Sequence, residues 1–444
     1  MSSAGAPDPS PSASPSTGRA LAVALARGAV AFVLVGSIGQ LIGIVDATVF
    51  RPPEAPTALF ARLGWLEFEL MNGVPVRLDA RGLGLAPTGS SSAHLQVGVC
   101  LLLGTWLAAW LLFRGGRAVA EVAGGGAIRR AIAGASVAVA YAGPSFLLSL
   151  LVRVPLRFSS DVVFAGVIEA RADPVRALVL PLGIGAVAGV LGGLSSAGSA
   201  MPEERRVGRV SAALAGGWWM FGVALAVTYA GLFIAGVVRP DGAIALLTPT
   251  TGHYFEVAFE RPGFGWPIVI HHVAVSPEEA LGVLVPAMGG CDVLDGATGR
   301  PFLCYWRFPR AFAPAAGLGS LLGTGSDLGL VFGTAPWPFF LFVLAPASAT
   351  ILGGRWAARR AAARGRVAVV VGAASGIVFA VLVVAVGYLG SVTVEIETNF
   401  SFLRSAAYRI GPDLLSGGAL ALAWGVVGGA LGGAIATRSR PLSR

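Results

Sequence analysis

Lysine is absent from this chain: all 32 basic residues are arginine, and charged residues of every kind make up only 12% of it. Without lysine there is no Walker A contact to a nucleotide phosphate, no kinase-type lysine and no Schiff base for pyridoxal phosphate. An ATP-driven mechanism therefore requires a separate ATPase subunit, and neither a nucleotide nor any other cofactor is expected. Histidine and cysteine are scarce too, at four and three residues. No HExxH pattern, no metal-spaced cysteine set and no GxSxG elbow occurs among them. No catalytic, cofactor-binding or metal-ligating residue is assigned on this basis, and an enzyme is not expected. Arginine in place of lysine, together with abundant alanine and glycine, fits the codon usage of a GC-rich bacterial genome.

What the chain has in excess is apolar sequence, at 55% hydrophobic residues with a mean hydropathy of +0.76. That is too apolar for a soluble domain of this length. Eight stretches approach the roughly 20 residues needed to cross about 30 Å of hydrocarbon. They are 28–47, 95–113, 131–152, 175–195, 211–237, 337–354, 367–389 and 413–437. The expected fold is an all-α polytopic membrane protein, with eight transmembrane helices in two parallel four-helix repeats and a small β-rich extracytoplasmic cap. A disordered cytoplasmic tail is expected over 1–19, the first four-span half over 20–200 and the second over 208–438, with an extracytoplasmic insertion at 238–336.

Arginine placement gives the orientation, because basic connections stay cytoplasmic. With an inside amino terminus, 17 of the 32 arginines fall in short inner segments, and 19 of the 23 acids fall outside. Both termini are then cytoplasmic in a cell membrane crossed several times. The sequence pI of 10.4 reflects contact with anionic lipid rather than nucleic acid.

Two related halves are expected from matched positions. A shift of 240 residues places Asp173 on Asp413 and Gly185, Gly189 and Gly193 on Gly425, Gly429 and Gly433. A shift of 238 places Gly115-Gly116-Arg117 on Gly353-Gly354-Arg355. Each half holds an even number of spans, so the repeats are parallel. Glycines four apart share one helix face and let backbones approach, so these six are read as helix-packing positions.

The connections outside the membrane carry period-two alternation, the mark of a half-buried strand. Leu66, Phe68 and Leu70 alternate with Glu67 and Glu69, and Phe255, Val257 and Phe259 with Glu256. Val392, Val394 and Ile396 alternate with Thr393, Glu395 and Glu397. Ser276-Pro277-Glu278-Glu279 reads as a capping box opening a short helix from Pro277 to about Val285. Cys291 and Cys304 flank a turn-rich run and are expected to form a disulfide, whereas Cys100 is expected to be buried and apolar. His253, His271, His272, Asp292 and Asp295 form the candidate outer polar site, with His271 and His272 on opposite faces of a strand.

The spans themselves hold no central Asp, Glu, Arg or His, which weakens an ion-coupled mechanism. Pro181 and Pro346 are possible helix breaks. The expected function is a non-enzymatic integral protein of the bacterial cell envelope, with the lipid bilayer and an envelope protein as partners through its outer cap. The alternative is a permease or flippase for a neutral or lipophilic substrate.

Overall fold

The structure is a computed structural model, in which the described residues are 17–49, 57–81, 92–98, 100–159, 165–196, 202–238, 262–295, 300–306, 308–311, 331–333, 337–398 and 406–438. Most of the expected tail therefore lies outside the described residues, as do His253 and the alternation at Phe255, Val257 and Phe259.

The chain is mostly helical. It begins with α1 (Thr17–Val49), α2 (Thr57–Met71), β1 (Val76–Arg81), β2 (Ser92–Gly98), α3 (Leu102–Ala123), α4 (Ala127–Ala135) and α5 (Val137–Leu151). There follow β3 (Val154–Ser159), β4 (Ala165–Ala172), α6 (Pro174–Ser195), α7 (Pro202–Val238), α8 (Pro262–Ala287), β5 (Cys291–Asp295) and β6 (Arg300–Cys304). A short ladder of β7 (Phe308–Ala311) and β8 (Val331–Gly333) precedes a 3₁₀ segment, Trp337–Val343, that leads into α9 (Leu344–Arg360). The chain closes with α10 (Arg366–Leu389), β9 (Val392–Thr398), β10 (Ala406–Pro412) and α11 (Leu414–Arg438).

Among the described residues, seven helical segments are long and apolar enough to cross a membrane, and they make this a multi-pass membrane protein: Thr17–Val45, Ala127–Leu151, Pro174–Ser195, Gly208–Ala235, Trp337–Arg360, Arg366–Leu389 and Leu414–Thr437. The expected span at 95–113 is not among them. Its first residues belong to β2, and α3 runs on to Ala123, carrying Arg114, Arg117 and Glu121 into its second half.

Glycine lets the helices meet backbone to backbone. A Cβ on Gly185 would sit 2.8 Å from Ala138 Cβ, and one on Gly193 would sit 2.9 Å from the Arg130 carbonyl carbon. On α11, a Cβ on Gly425 would meet the Gly376 backbone at 2.5 Å, while Gly429 and Gly433 lie against Gly372 and Ala368. Thus α6 packs on α3, α4 and α5, and α11 packs on α9 and α10. An aromatic contact joins α3 to α7, with the rings of Trp106 and Trp218 centred 4.3 Å apart.

The strands of four hairpins form one antiparallel sheet in the order β3-β4-β1-β2-β9-β10-β5-β6. Its central join is the β2·β9 ladder, from Ala93↔Thr398 to Gly98↔Thr393. Alternation divides the faces. Val76, Leu78, Leu95, Val97, Val392 and Val394 lie on one. Arg77, Asp79, His94, Gln96, Glu395 and Arg409 lie on the other. Val76 packs with Leu66, Val74, Val154, Ala170, Ala172 and Ala177 where the sheet meets the helices.

Two local expectations are corrected. Leu66, Phe68 and Leu70 lie on helix α2, not on a strand. The alternation arises because Glu67 and Glu69 are themselves buried, so α2 has no polar face to show a helical period. The capping-box segment is the interior of the 26-residue α8, not a helix start. Pro277 has no N–H to offer the Val273 carbonyl, and Ser276 Oγ donates to that carbonyl instead, at 2.8 Å.

Candidate functional site

Of the expected outer polar site, His253 lies outside the described residues, and the backbone places the other four on one helix and one strand. His271 and His272 lie on helix α8, where neighbours are about 100° apart rather than on opposite faces. Asp295 ends β5 opposite Arg409 in the sheet register. Asp292, three residues before it, is buried on the other face, opposite Pro412 and Leu303. Cys291 and Cys304 form the disulfide that ties β5 to β6. Among the described residues, no group of three His, Cys, Asp or Glu side chains is placed to hold a metal ion.

Polar chemistry concentrates in two other places. The first is the polar face of the sheet, centred on Asp79 of β1. Only 3% of Asp79 is exposed, yet it accepts from Arg77 Nε at 2.9 Å and pairs with Arg171 Nη2 at 2.9 Å and His94 Nδ1 at 2.6 Å. Burial works to raise its carboxyl, but the bonds from His94 and Arg77 and the charges of Arg171 and Arg77 outweigh it and hold the group below the usual carboxylate range. Arg153 and Glu169 extend the charged surface at 3.4 Å. The Asp79 carboxylate, shared by three donors from three strands, fixes the register of β4, β1 and β2.

The second place lies beneath the sheet, where α2 and α8 insert against the spans. Glu69 of α2 is 2% exposed, and both its carboxyl oxygens lie 2.9–3.0 Å from Ser145 Oγ of α5. Ser145 Oγ also lies 3.0 Å from the Ala177 carbonyl. That carbonyl is open because Pro181, four residues on in an unbroken α6, has no N–H. A serine hydroxyl has one hydrogen and cannot donate to both acceptors. A protonated Glu69 resolves this by donating to Ser145, which donates to Ala177. Burial, opposed by the Ser145 bond, lifts the Glu69 carboxyl to about 8, which agrees with the geometry.

One turn further on, Asn72 accepts from Tyr141 OH at 2.8 Å and donates to the Phe68 carbonyl at 2.8 Å. Thr105 at the start of α3 donates to the Met71 carbonyl, and Cys100 Sγ lies 3.1 Å from Thr105 Oγ1. Burial pushes the Cys100 thiol up to about 12, so it is not a thiolate nucleophile.

Glu278 of α8 reaches the same helix start. Its Oε1 accepts from Leu102 N at 2.8 Å, supplying the cap that Leu101 lacks. A Cβ on Gly390, between α10 and β9, would lie 3.1 Å from both Glu278 Cγ and Leu102 Cδ1. Burial, with a contribution from the Glu279 charge, raises Glu278 to about 8 against the pull of the Leu102 N–H. Burial alone raises Asp292 well above its usual range, and its Oδ1 has no hydrogen-bond partner among the described residues.

Sequence reasoning placed Glu69 and Glu278 in solvent-facing connections. Prolines at 181 and 277, each releasing a carbonyl to a serine, are the signal that such polar sites exist. No protein-family model, curated protein or solved structure matches this chain.

Proposed function

We propose that this is a non-enzymatic integral protein of the bacterial cell envelope, whose sheet is an extracytoplasmic docking platform for another envelope protein. In this reading α3 is an eighth span. The two sets of four spans are parallel repeats, both termini are cytoplasmic and the sheet faces outward. Support for the repeat is positional. Asp173 N donates to the Pro75 carbonyl before α6, and Asp413 N donates to the Cys291 carbonyl before α11. Each of these carbonyls lies two residues beyond a glycine of positive φ, Gly73 at 72° and Gly289 at 102°.

The observation that carries the docking reading is the continuous polar face of the eight-stranded sheet, with Asp79 already satisfied by its own arginines and histidine. Such a face is rigid, and it presents Glu395 and Arg153 to a partner as exposed charges. A photo-crosslinking residue at Glu395, irradiated in intact cells, is expected to capture one discrete envelope protein. A ladder of non-specific adducts identical to that from a site in the lipid-facing wall, such as Val381, sinks the reading.

One observation favours a permease or flippase for a neutral or lipophilic substrate instead: two buried protonatable carboxyls, Glu69 against Ser145 of α5 and Glu278 at the start of α3. Proton-linked movement of a substrate predicts that Glu69→Gln and Glu278→Gln each abolish pH-driven uptake or lipid scrambling in reconstituted vesicles.

A further inference from the structure

At the end of the bundle away from the sheet, α7 and α10 flank a groove of about 490 Å³. Its walls are Val210, Leu214, Val367, Val370, Ile377 and Val378, and its mouth carries Arg209 and Arg366. Val210, Val370 and Ile377 are 55%, 65% and 52% exposed, so the wall is an open apolar trough and not an internal void. From Val367 to Val378 the trough runs for roughly 16 Å along α10, the length of a substantial acyl chain.

The mouth is built for negative charge. Among the described residues no ion pair holds either guanidinium. The amino terminus of α10 opens at the same point, with Gly365 as its N-cap and no side-chain cap bond. The amides of Arg366 and Val367 have no intrahelical carbonyl to reach, while that of Ala368 donates to the Gly365 carbonyl at 3.1 Å. Two arginines and an uncapped helix start above a chain-length apolar trough match the chemistry of one class of molecule.

We propose that this groove is a binding site for a single anionic glycerophospholipid. Its phosphate lies between Arg209, Arg366 and the first amides of α10, and one acyl chain lies along Val367 to Val378. Arginine pairs phosphate through a planar fork, so the site selects the headgroup, while the apolar trough distinguishes a lipid from a free phosphate. The proposal rests on the membrane reading of the chain but not on the docking role of the sheet.

The test is a titration of the full-length, detergent-solubilised protein with phosphatidylglycerol and with phosphatidylcholine, read by native mass spectrometry. One phosphatidylglycerol is expected to bind ahead of the rest, with phosphatidylcholine weaker by on the order of 10-fold. Arg209→Gln with Arg366→Gln should erase that preference. Val370→Trp should weaken both lipids while leaving the preference intact, and all variants should unfold at the wild-type temperature because the altered side chains are exposed. Equal binding of the two lipids by the wild type, or an unchanged preference in the double variant, overturns the proposal. So does displacement of the lipid by millimolar glycerol 3-phosphate, which would show that the trough contributes nothing.

Discussion

Substituting a single methyl group at Gly425 tests whether the bundle depends on backbone contact. The added Cβ would stand 2.5 Å from Gly376 O, 2.8 Å from its Cα and 2.9 Å from its C. Three backbone atoms cannot rotate away as a side chain does. α11 and α10 must therefore separate by about 1 Å to restore ordinary contact, and overpacking of this kind costs about 1–3 kcal/mol. Separation is resisted along the same seam, because Gly429 and Gly433 lie against Gly372 and Ala368. The control is Gly183→Ala on α6, where nothing lies within 4 Å of the new Cβ. There alanine is favoured over glycine by up to about 1 kcal/mol through helix propensity. The assay is thermal unfolding in detergent. Gly425→Ala is expected to lower the midpoint by several degrees and Gly183→Ala to leave it unchanged or raise it. Equal midpoints for the two variants would refute the close-packing argument.

Three further outcomes follow from the buried polar groups and the disulfide. Glu69 binds its proton up to about pH 8 when folded and up to about 4.5 when unfolded, so this contribution to stability is complete below pH 4.5 and is lost as pH rises toward 8. Glu278 behaves alike. Thermal midpoints taken from pH 5 to pH 8 should fall with pH, and Glu69→Gln should reduce that slope; an unaltered slope rejects a protonated Glu69. Asp79→Asn leaves Arg77 and Arg171 without their shared carboxylate and should destabilise the sheet by about 1–3 kcal/mol, seen as faster amide exchange in β1, β2 and β4. Reducing Cys291–Cys304, or replacing both by serine, should cost about 3 kcal/mol by the loop-closure argument, and limited proteolysis should then cut between β5 and β6 while α9, α10 and α11 stay intact.

Membrane helices and turns were legible in the sequence because each is written in local chemistry. Hydropathy located the seven apolar spans, and the alternation at Val392, Val394 and Ile396 marked β9. The spacing of Cys291 and Cys304 marked the β5–β6 hairpin. Reading failed where burial reversed the usual meaning of a residue. Glu67 and Glu69 looked like the solvent face of a strand, whereas the helix that bears them is packed on both sides. Pro277 looked like a helix start because the hydroxyl that compensates for it, Ser276, is also a good N-cap. The second span was placed too early, since the apolar run from 95 includes the end of a strand whose partner, β9, lies almost 300 residues away. Long-range pairing of that kind leaves no local trace. Nor did anything in the sequence place Asp79 with Arg77, His94 and Arg171, because only the sheet register gathers them.

The β2·β9 ladder has a mechanical consequence. Its six residue pairs stitch the strand that precedes α3 to the strand that follows α10. In an antiparallel ladder the inter-strand hydrogen bonds run perpendicular to the strands, so drawing the two strands apart loads those bonds directly. The two sets of helices are thus clasped at the sheet end and meet lower down through side-chain contacts such as Trp106 on Trp218. Any rocking between them pivots at the clasp and opens widest at the arginine-rich end, so the molecule has a fixed fulcrum on one side of the bilayer.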